Sequence, residues 1–69
     1  MIKRTIPLSS AEKILKMSGA DRISDDAKII LRDTIEEIAE EIAEKASKLA
    51  SHAGRKTVKS EDIKLAAKQ

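Results

Sequence analysis

The sequence predicts an all-α domain in which a long central helix lies between two short ones. Apolar residues recur at helical spacing in three stretches, and each break between stretches begins with a glycine, Gly19 or Gly54. The 69 residues allow one domain over 1–69, with a core at about 7–68, and contain no Cys, Phe, Tyr or Trp. A chain this short, without disulfides or aromatic side chains, is expected to need a partner for stability.

The first helix is predicted from about Ser9 to Ser18. Ser9 and Glu12 have the spacing of a capping box, in which each side chain accepts a backbone N–H at the start of the helix. Gly19 is expected to end the helix in a left-handed conformation.

The central helix is predicted from about Ser24 to Ala53. Ser24 is a good N-cap, and Asp25 and Asp26 follow it at the positive end of the helix dipole. The apolar stripe of this helix consists of Leu31, Ile35, Ile38, Ile42, Ala46, Leu49 and Ala53. Its steps of three and four residues do not form a strict heptad. This spacing disfavours a left-handed coiled coil and favours two straight helices that cross.

Two short helices cannot cover a central helix of this length, so apolar surface should remain for another chain. The third helix is predicted from near Ser60 to the end. Residues 20–23 and 55–59 could each hold a very short strand, but they are not expected to form a sheet. The pattern therefore predicts an intertwined dimer whose core contains Leu31, Ile35, Ile38 and Ile42.

Charge is unevenly distributed along the chain. The net charge is +2, but six acids and no base lie between Asp33 and Glu44, so the remainder carries +8. Basic extremities around an acidic middle can present a positive edge to a polyanion. An ordinary solvated helix face would give the same pattern, and charge alone does not decide between the two.

Several function classes are not expected. His52 is the single histidine and there is no cysteine, so we expect no metal site, no catalytic nucleophile arrangement, no cofactor and no small-molecule substrate. The N-terminal residues lack an apolar signal-peptide region, and no apolar run reaches the length of a membrane span. A soluble cytoplasmic protein is the expectation.

Two motifs resemble those of archaeal histones. Arg22-Ile23-Ser24-Asp25-Asp26-Ala27 resembles their first-loop motif, and His52-Ala53-Gly54-Arg55-Lys56-Thr57-Val58-Lys59 with Glu61-Asp62-Ile63 resembles their second-loop motif. The resemblance covers about Pro7 to Lys68. It implies a histone fold, a handshake dimer with itself or a paralogue, and binding to duplex DNA with little sequence preference. Such dimers bend or wrap DNA, stack along it and associate with the chromosome in the nucleoid.

The resemblance also implies DNA contacts. Arg22 corresponds to an arginine that enters the minor groove, and Thr57 to a threonine that braces it from the paired loop. The alternative for Arg22 is a loop cation neutralised by a neighbouring aspartate. Lys56 resembles a phosphate contact, and Lys13 stands where the family often has arginine, so it can neutralise phosphate without a bidentate fork.

Two further roles follow from the resemblance. Arg55 and Asp62 match a structural salt bridge between the second loop and the third helix. Leu49, His52, Asp62 and Leu65 match a contact between dimers, in which His52 and Asp62 form a hydrogen bond. An exposed histidine near a helix end is the alternative for His52.

These residues bear on three candidate functions. An architectural chromatin protein agrees best with Arg22, Lys56 and Thr57. A histone-fold dimerisation module of a transcription complex is the alternative, since it would hold proteins rather than DNA. A helical enzyme lacks support in the residues present.

Overall fold

The computed structural model describes residues 5–68. Three helices make up its regular structure: α1 (Leu8–Met17), α2 (Asp25–His52) and α3 (Ser60–Lys68). Within residues 5–68 there is no strand, so the short strands that the sequence allowed at 20–23 and 55–59 do not form. The all-α prediction with a short, a long and a short helix is confirmed. At about 1.5 Å per residue, α2 is roughly 40 Å long.

The chain divides into two compact units, with the boundary between Glu37 and Ile38 inside α2. The first unit contains α1 and the N-terminal half of α2, and the second contains the rest of α2 and α3. The single-domain organisation stays a prediction.

The start of α1 differs from the prediction. Pro7 is the N-cap, with φ −66° and ψ 149°, and no side chain caps the helix. Its carbonyl accepts the N–H of Ser10 at 3.1 Å. The capping box of Ser9 and Glu12 is therefore wrong, because the helix begins one residue earlier and Ser9 lies inside its first turn. Glu12 instead forms ion pairs with lysines, Lys28 among them.

The start of α2 agrees with the prediction. The Ser24 Oγ accepts the N–H of Ala27 at 3.1 Å, and the Ser24 carbonyl accepts the N–H of Lys28 at 3.2 Å. Asp25 and Asp26 lie in the first turn, where they stabilise the helix dipole. Ser24 thus satisfies one of the free N–H groups of a long helix.

Both α1 and α2 end through glycine. Gly19 has φ +107° and Gly54 has φ +73°. Residues other than glycine rarely adopt positive φ values. The residue after each glycine donates its N–H to the carbonyl five residues back, at 3.1 Å after Gly19 and 2.9 Å after Gly54. This is the Schellman arrangement, and it turns the chain sharply into each loop.

The segment before α1 is held by a buried carboxylate. Glu36 of α2 is 4% exposed, and its Oε1 accepts the N–H groups of Thr5 and Ile6 at 2.7 and 2.6 Å. These bonds fix the approach to α1 against α2 within the first unit.

The apolar side chains buried in residues 5–68 are small. They are all alanines: Ala11, Ala46, Ala50 and Ala66. On the predicted stripe, Leu31, Ile35, Ile42 and Leu49 are half-buried, and Ile38 is 53% exposed. No large side chain in this part of the chain is fully buried. A single chain therefore leaves much of its aliphatic surface in water.

The two serines near helix starts give a matched test of these assignments. Ser24→Ala should lower the free energy of unfolding by about 1 kcal/mol, because α2 loses its N-cap bond. Ser9→Ala should change it by less than about 0.5 kcal/mol, since Ser9 caps nothing and alanine is a good helix former. Urea unfolding at one fixed protein concentration measures both. Equal losses for the two variants would contradict the assignment.

Candidate nucleic-acid interface

The candidate interface is carried by two loops. The first loop is residues 18–24, between α1 and α2, and the second loop is residues 53–59, between α2 and α3. The second loop contains Arg55, Lys56 and Lys59 and no acid, whereas the first contains one base, Arg22, beside Asp21. The two loops therefore differ in charge, and each is described within its own unit.

Arg22 is exposed, and its side chain forms no hydrogen bond or ion pair with any residue in the 5–68 range. Asp21, Asp25 and Asp26 are its neighbours in sequence, yet Asp25 forms an ion pair with Lys28 at 3.7 Å instead. Among residues 5–68, no aspartate forms an ion pair with Arg22. No residue between 5 and 68 accepts a hydrogen bond from the N–H donors of the Arg22 guanidinium, which could therefore serve a ligand.

Lys56 and Thr57 occupy the middle of the second loop. Both are exposed, and Lys56 forms no ion pair with the described residues. The Thr57 carbonyl accepts a hydrogen bond from Arg55 Nη1 at 2.9 Å, which fixes the backbone here and leaves the hydroxyl in solvent. Lys13 is exposed on α1 and likewise has no ion-pair partner among residues 5–68.

Arg55 and Asp62 form a bidentate salt bridge. Arg55 Nη1 donates to Asp62 Oδ2 at 3.0 Å, and Nη2 donates to Oδ1 at 2.9 Å. The Lys59 N–H also donates to Oδ2, at 2.8 Å, so Asp62 caps the start of α3 as well. The Asp62 side chain is 8% exposed. This one carboxylate thus binds two residues of the second loop, Arg55 and Lys59.

These contacts set the ionisation of the pair. The side-chain hydrogen bond from Arg55, and then the backbone hydrogen bond from Lys59, lower the pKa of Asp62 to about 2, although burial opposes the shift. The bond to Asp62 raises the pKa of Arg55 further above its ordinary value. Both groups are charged at neutral pH, so the loop retains its shape.

The structure brings only some of the predicted residues together. Arg55, Thr57 and Asp62 are joined by hydrogen bonds in the second unit. Lys13 and Arg22 belong to the first unit, whereas Lys56 and Thr57 belong to the second. The bracing of Arg22 by Thr57 concerns two chains and stays a prediction.

The residues predicted to contact another dimer all lie in the second unit. Leu49 is half-buried, Leu65 is 50% exposed and His52 is exposed at the last position of α2. Asp62 is held by Arg55 and Lys59. The predicted hydrogen bond between His52 and Asp62 belongs to a contact between chains, and no such bond forms within the described chain.

Sequence reasoning missed two residues of α2 that bind earlier parts of the chain. The sequence pattern places Glu36 only in the acidic run of the central helix, and it indicates no role for Lys28. Nothing in the periodicity marks Glu36, because its partners are backbone N–H groups thirty or more positions earlier. Lys28 had a local signal, since Asp25 lies three residues before it on the same helix.

The residues that the structure describes offer neither a metal-binding cluster nor a membrane-spanning helix. No group of three or more His, Cys, Asp or Glu side chains in residues 5–68 could hold a metal ion. No helix in this part of the chain is both long and apolar enough to cross a membrane.

Comparison with known proteins gives consistent matches. Residues 4–67 match the model of the family described as histone-like transcription factor (CBF/NF-Y) and archaeal histone. The chain is 44% identical over 63 residues to one of the subunits of archaeal histone HAN1 from Thermococcus zilligii, covering 91% of this chain and 94% of that protein. It is 48% identical over 61 residues to "Probable archaeal histone 3" of Methanocaldococcus jannaschii, covering 88% and 91%.

The depressed pKa of Asp62 predicts how stability depends on pH. Because the folded state favours the ionised carboxylate, the stabilisation is complete above the unfolded value near pH 4 and is lost as pH falls toward about 2. Asp62→Asn should therefore be less stable than the parent at neutral pH, with the difference shrinking between pH 4 and 2. Urea unfolding across this range measures it. Glu61→Gln, at the exposed neighbouring position, is the control, and a pH-independent difference for Asp62→Asn would refute the assignment.

Proposed function

Because this chain belongs to the family of histone-like transcription factors (CBF/NF-Y) and archaeal histones, we propose that it binds duplex DNA as a handshake dimer and bends it. The family assignment makes it a histone-fold, DNA-binding chromatin protein and not an enzyme. Association with the chromosome follows from that role.

The DNA contact rests on one observation above all. Arg22 and Lys56 are exposed cations without ion-pair partners among residues 5–68, each in a loop that hydrogen bonds hold in shape. An arginine with free donors suits a narrow minor groove, where the electrostatic potential is most negative. A lysine suits a phosphate, which it contacts as a point charge. Neither contact reads base edges, so binding is largely independent of sequence.

The dimer is supported by the apolar surface that one chain leaves uncovered. Exposed aliphatic side chains occur on all three helices, with Ile14 on α1 at 47%, Ile38 on α2 at 53% and Ile63 on α3 at 42%. Soluble monomers rarely leave so much apolar surface in water. A second histone-fold chain, identical or paralogous, would bury these side chains, and Leu31, Ile35, Ile38 and Ile42 would meet their counterparts along the two central helices.

Stacking of dimers is supported by the second unit. Leu49 and Leu65 offer partly exposed apolar surface, and His52 is exposed three residues after Leu49 on α2. Asp62 Oδ2 accepts two hydrogen bonds, whereas Oδ1 accepts one and retains a lone pair. An imidazole N–H from His52 of another dimer would satisfy that lone pair.

A dimerisation module of a transcription complex is the second candidate, and the family description includes such proteins. The unpaired cations Arg22 and Lys56 favour the DNA-binding candidate, since a protein scaffold does not require them. A gel-shift series on mixed-sequence duplexes separates the two functions, because the scaffold predicts no salt-sensitive shift at all.

Substitution of the loop cations tests the contacts with DNA. Lys56→Ala should weaken binding to all duplexes alike and lower the slope of log affinity against log salt by about 0.9 for each lost contact. Arg22→Ala should also relax the preference for A-tract sequences, whose minor groove is narrow. Lys45→Ala, an exposed lysine of α2, is the control. Unchanged salt slopes for Arg22→Ala and Lys56→Ala would remove these residues from the interface.

Substitution at Leu49 tests stacking separately from pairing. Leu49→Glu should abolish the contact between dimers, through lost burial and through repulsion between like charges, while leaving the dimer folded. Nuclease digestion at equal protein-to-DNA ratios should then give a single protected length instead of a ladder. Chemical crosslinking checks that the dimer persists, and Ser47→Glu, exposed on the same helix, is the control. A ladder like that of the parent would exclude Leu49 from the contact, and loss of the dimer would place Leu49 in its core.

A further inference from the structure

Lys28 joins the two sides of the first loop. Its Nζ lies 3.5 Å from Glu12 Oε1 on α1 and 3.7 Å from Asp25 Oδ1 at the first position of α2. The Lys28 side chain is 21% exposed, so most of its length is packed against the protein. All three residues belong to the first unit, as does Arg22.

The loop between these ion pairs is short and tightly turned. It leaves α1 through Gly19, at φ +107°, and enters α2 through the N-cap of Ser24. Arg22 lies between these two fixed points, and its side chain forms no hydrogen bond or ion pair with residues 5–68. Its position therefore depends on how α1 is held against the start of α2.

Lys28 also pairs with an acid that is close to Arg22 in sequence. Asp25 is three residues from Arg22, its side chain is 95% exposed, and its observed partner is Lys28. Because Asp25 pairs with Lys28, it is not an ion-pair partner of Arg22, which has none among residues 5–68.

We propose that Lys28 is a positioning residue for DNA binding: by holding Glu12 and Asp25, it fixes the first loop and keeps Arg22 free for the minor groove. The proposal rests on the proposed function, since it assumes that Arg22 contacts DNA. Lys28 itself is not the phosphate contact, because it is mostly buried and has two carboxylate partners. Lys13 and Lys56, exposed and without ion pairs among residues 5–68, differ from it in both respects.

The sign of one substitution separates positioning from simple electrostatics. Glu12→Gln removes a negative charge, so long-range electrostatics alone predicts tighter binding to DNA. Loss of the Lys28 anchor predicts weaker binding instead. Asp26→Asn is the matched control, because Asp26 is exposed in the first turn of α2, has no ion pair with any described residue, and its removal should tighten binding.

A second pair of variants compares two lysines that share one carboxylate. Lys16 Nζ is 3.7 Å from Glu12 Oε1, but it lies on α1 itself and its side chain is 60% exposed. Lys28→Met should remove the preference for A-tract over mixed-sequence duplexes, whereas Lys16→Met should only lower affinity for both alike. Lys28→Arg should retain the preference, because a guanidinium can hold the same two carboxylates.

The experiment measures dissociation constants for A-tract and mixed-sequence duplexes at one salt concentration, with circular dichroism to confirm helical content. Glu12→Gln should weaken binding to the A-tract duplex by about two- to fivefold, the range of a partly exposed ion pair. In an Arg22→Ala background the same change should no longer weaken binding, because the residue it positions is gone. If Lys28→Met loses helical content, Glu12→Gln decides the question.

Two outcomes are distinguishable. If Arg22→Ala itself leaves binding unchanged, the proposed contact of Arg22 with DNA is wrong. If Arg22→Ala weakens binding but Glu12→Gln tightens it as Asp26→Asn does, the positioning role of Lys28 is overturned and the DNA contact stands.

Discussion

The remaining structure depends on one constraint: a single chain buries very little apolar surface. The fully covered apolar side chains in residues 5–68 are four alanines, each contributing little more than a methyl group, or about 0.8 kcal/mol. Leucines and isoleucines along α2 remain partly in water. With no disulfide and no aromatic side chain in the sequence, the chain has few other sources of stability. A second chain that covers this stripe would stabilise the fold and would also place two sets of loops on one molecule.

Contacts within the protein hold the two loops that we propose to face DNA. Glycines in positive φ end α1 and α2, Ser24 begins α2, and the Asp62 carboxylate links Arg55 to the start of α3. In these bonds, acidic side chains and backbone groups pair with partners inside the protein. Cations such as Arg22 and Lys56 are left without partners among the described residues, and an unpaired cation on a rigid loop loses little entropy when it meets a phosphate backbone.

Sequence reasoning worked where the signal was local. Ser24 and Gly54 bounded α2 correctly because a cap and a left-handed stop depend on a few adjacent residues. It failed at α1, where Pro7 is the N-cap, Leu8 begins the helix and Ser9 has no capping role. It also missed Glu36 and Lys28, whose roles depend on partners in another element. The family resemblance pointed to Arg22 and Lys56, but only the structure shows that neither has an ion pair among the described residues.

The central claim, that a second chain completes the core, is tested most directly by unfolding the unmodified protein at different concentrations. If folding and pairing are one step, the thermal midpoint rises by several degrees over a hundredfold increase in protein concentration. Sedimentation equilibrium of the folded protein should then give twice the 7.6 kDa mass of the chain. A thermal midpoint independent of concentration, together with a folded species of 7.6 kDa, would contradict the account.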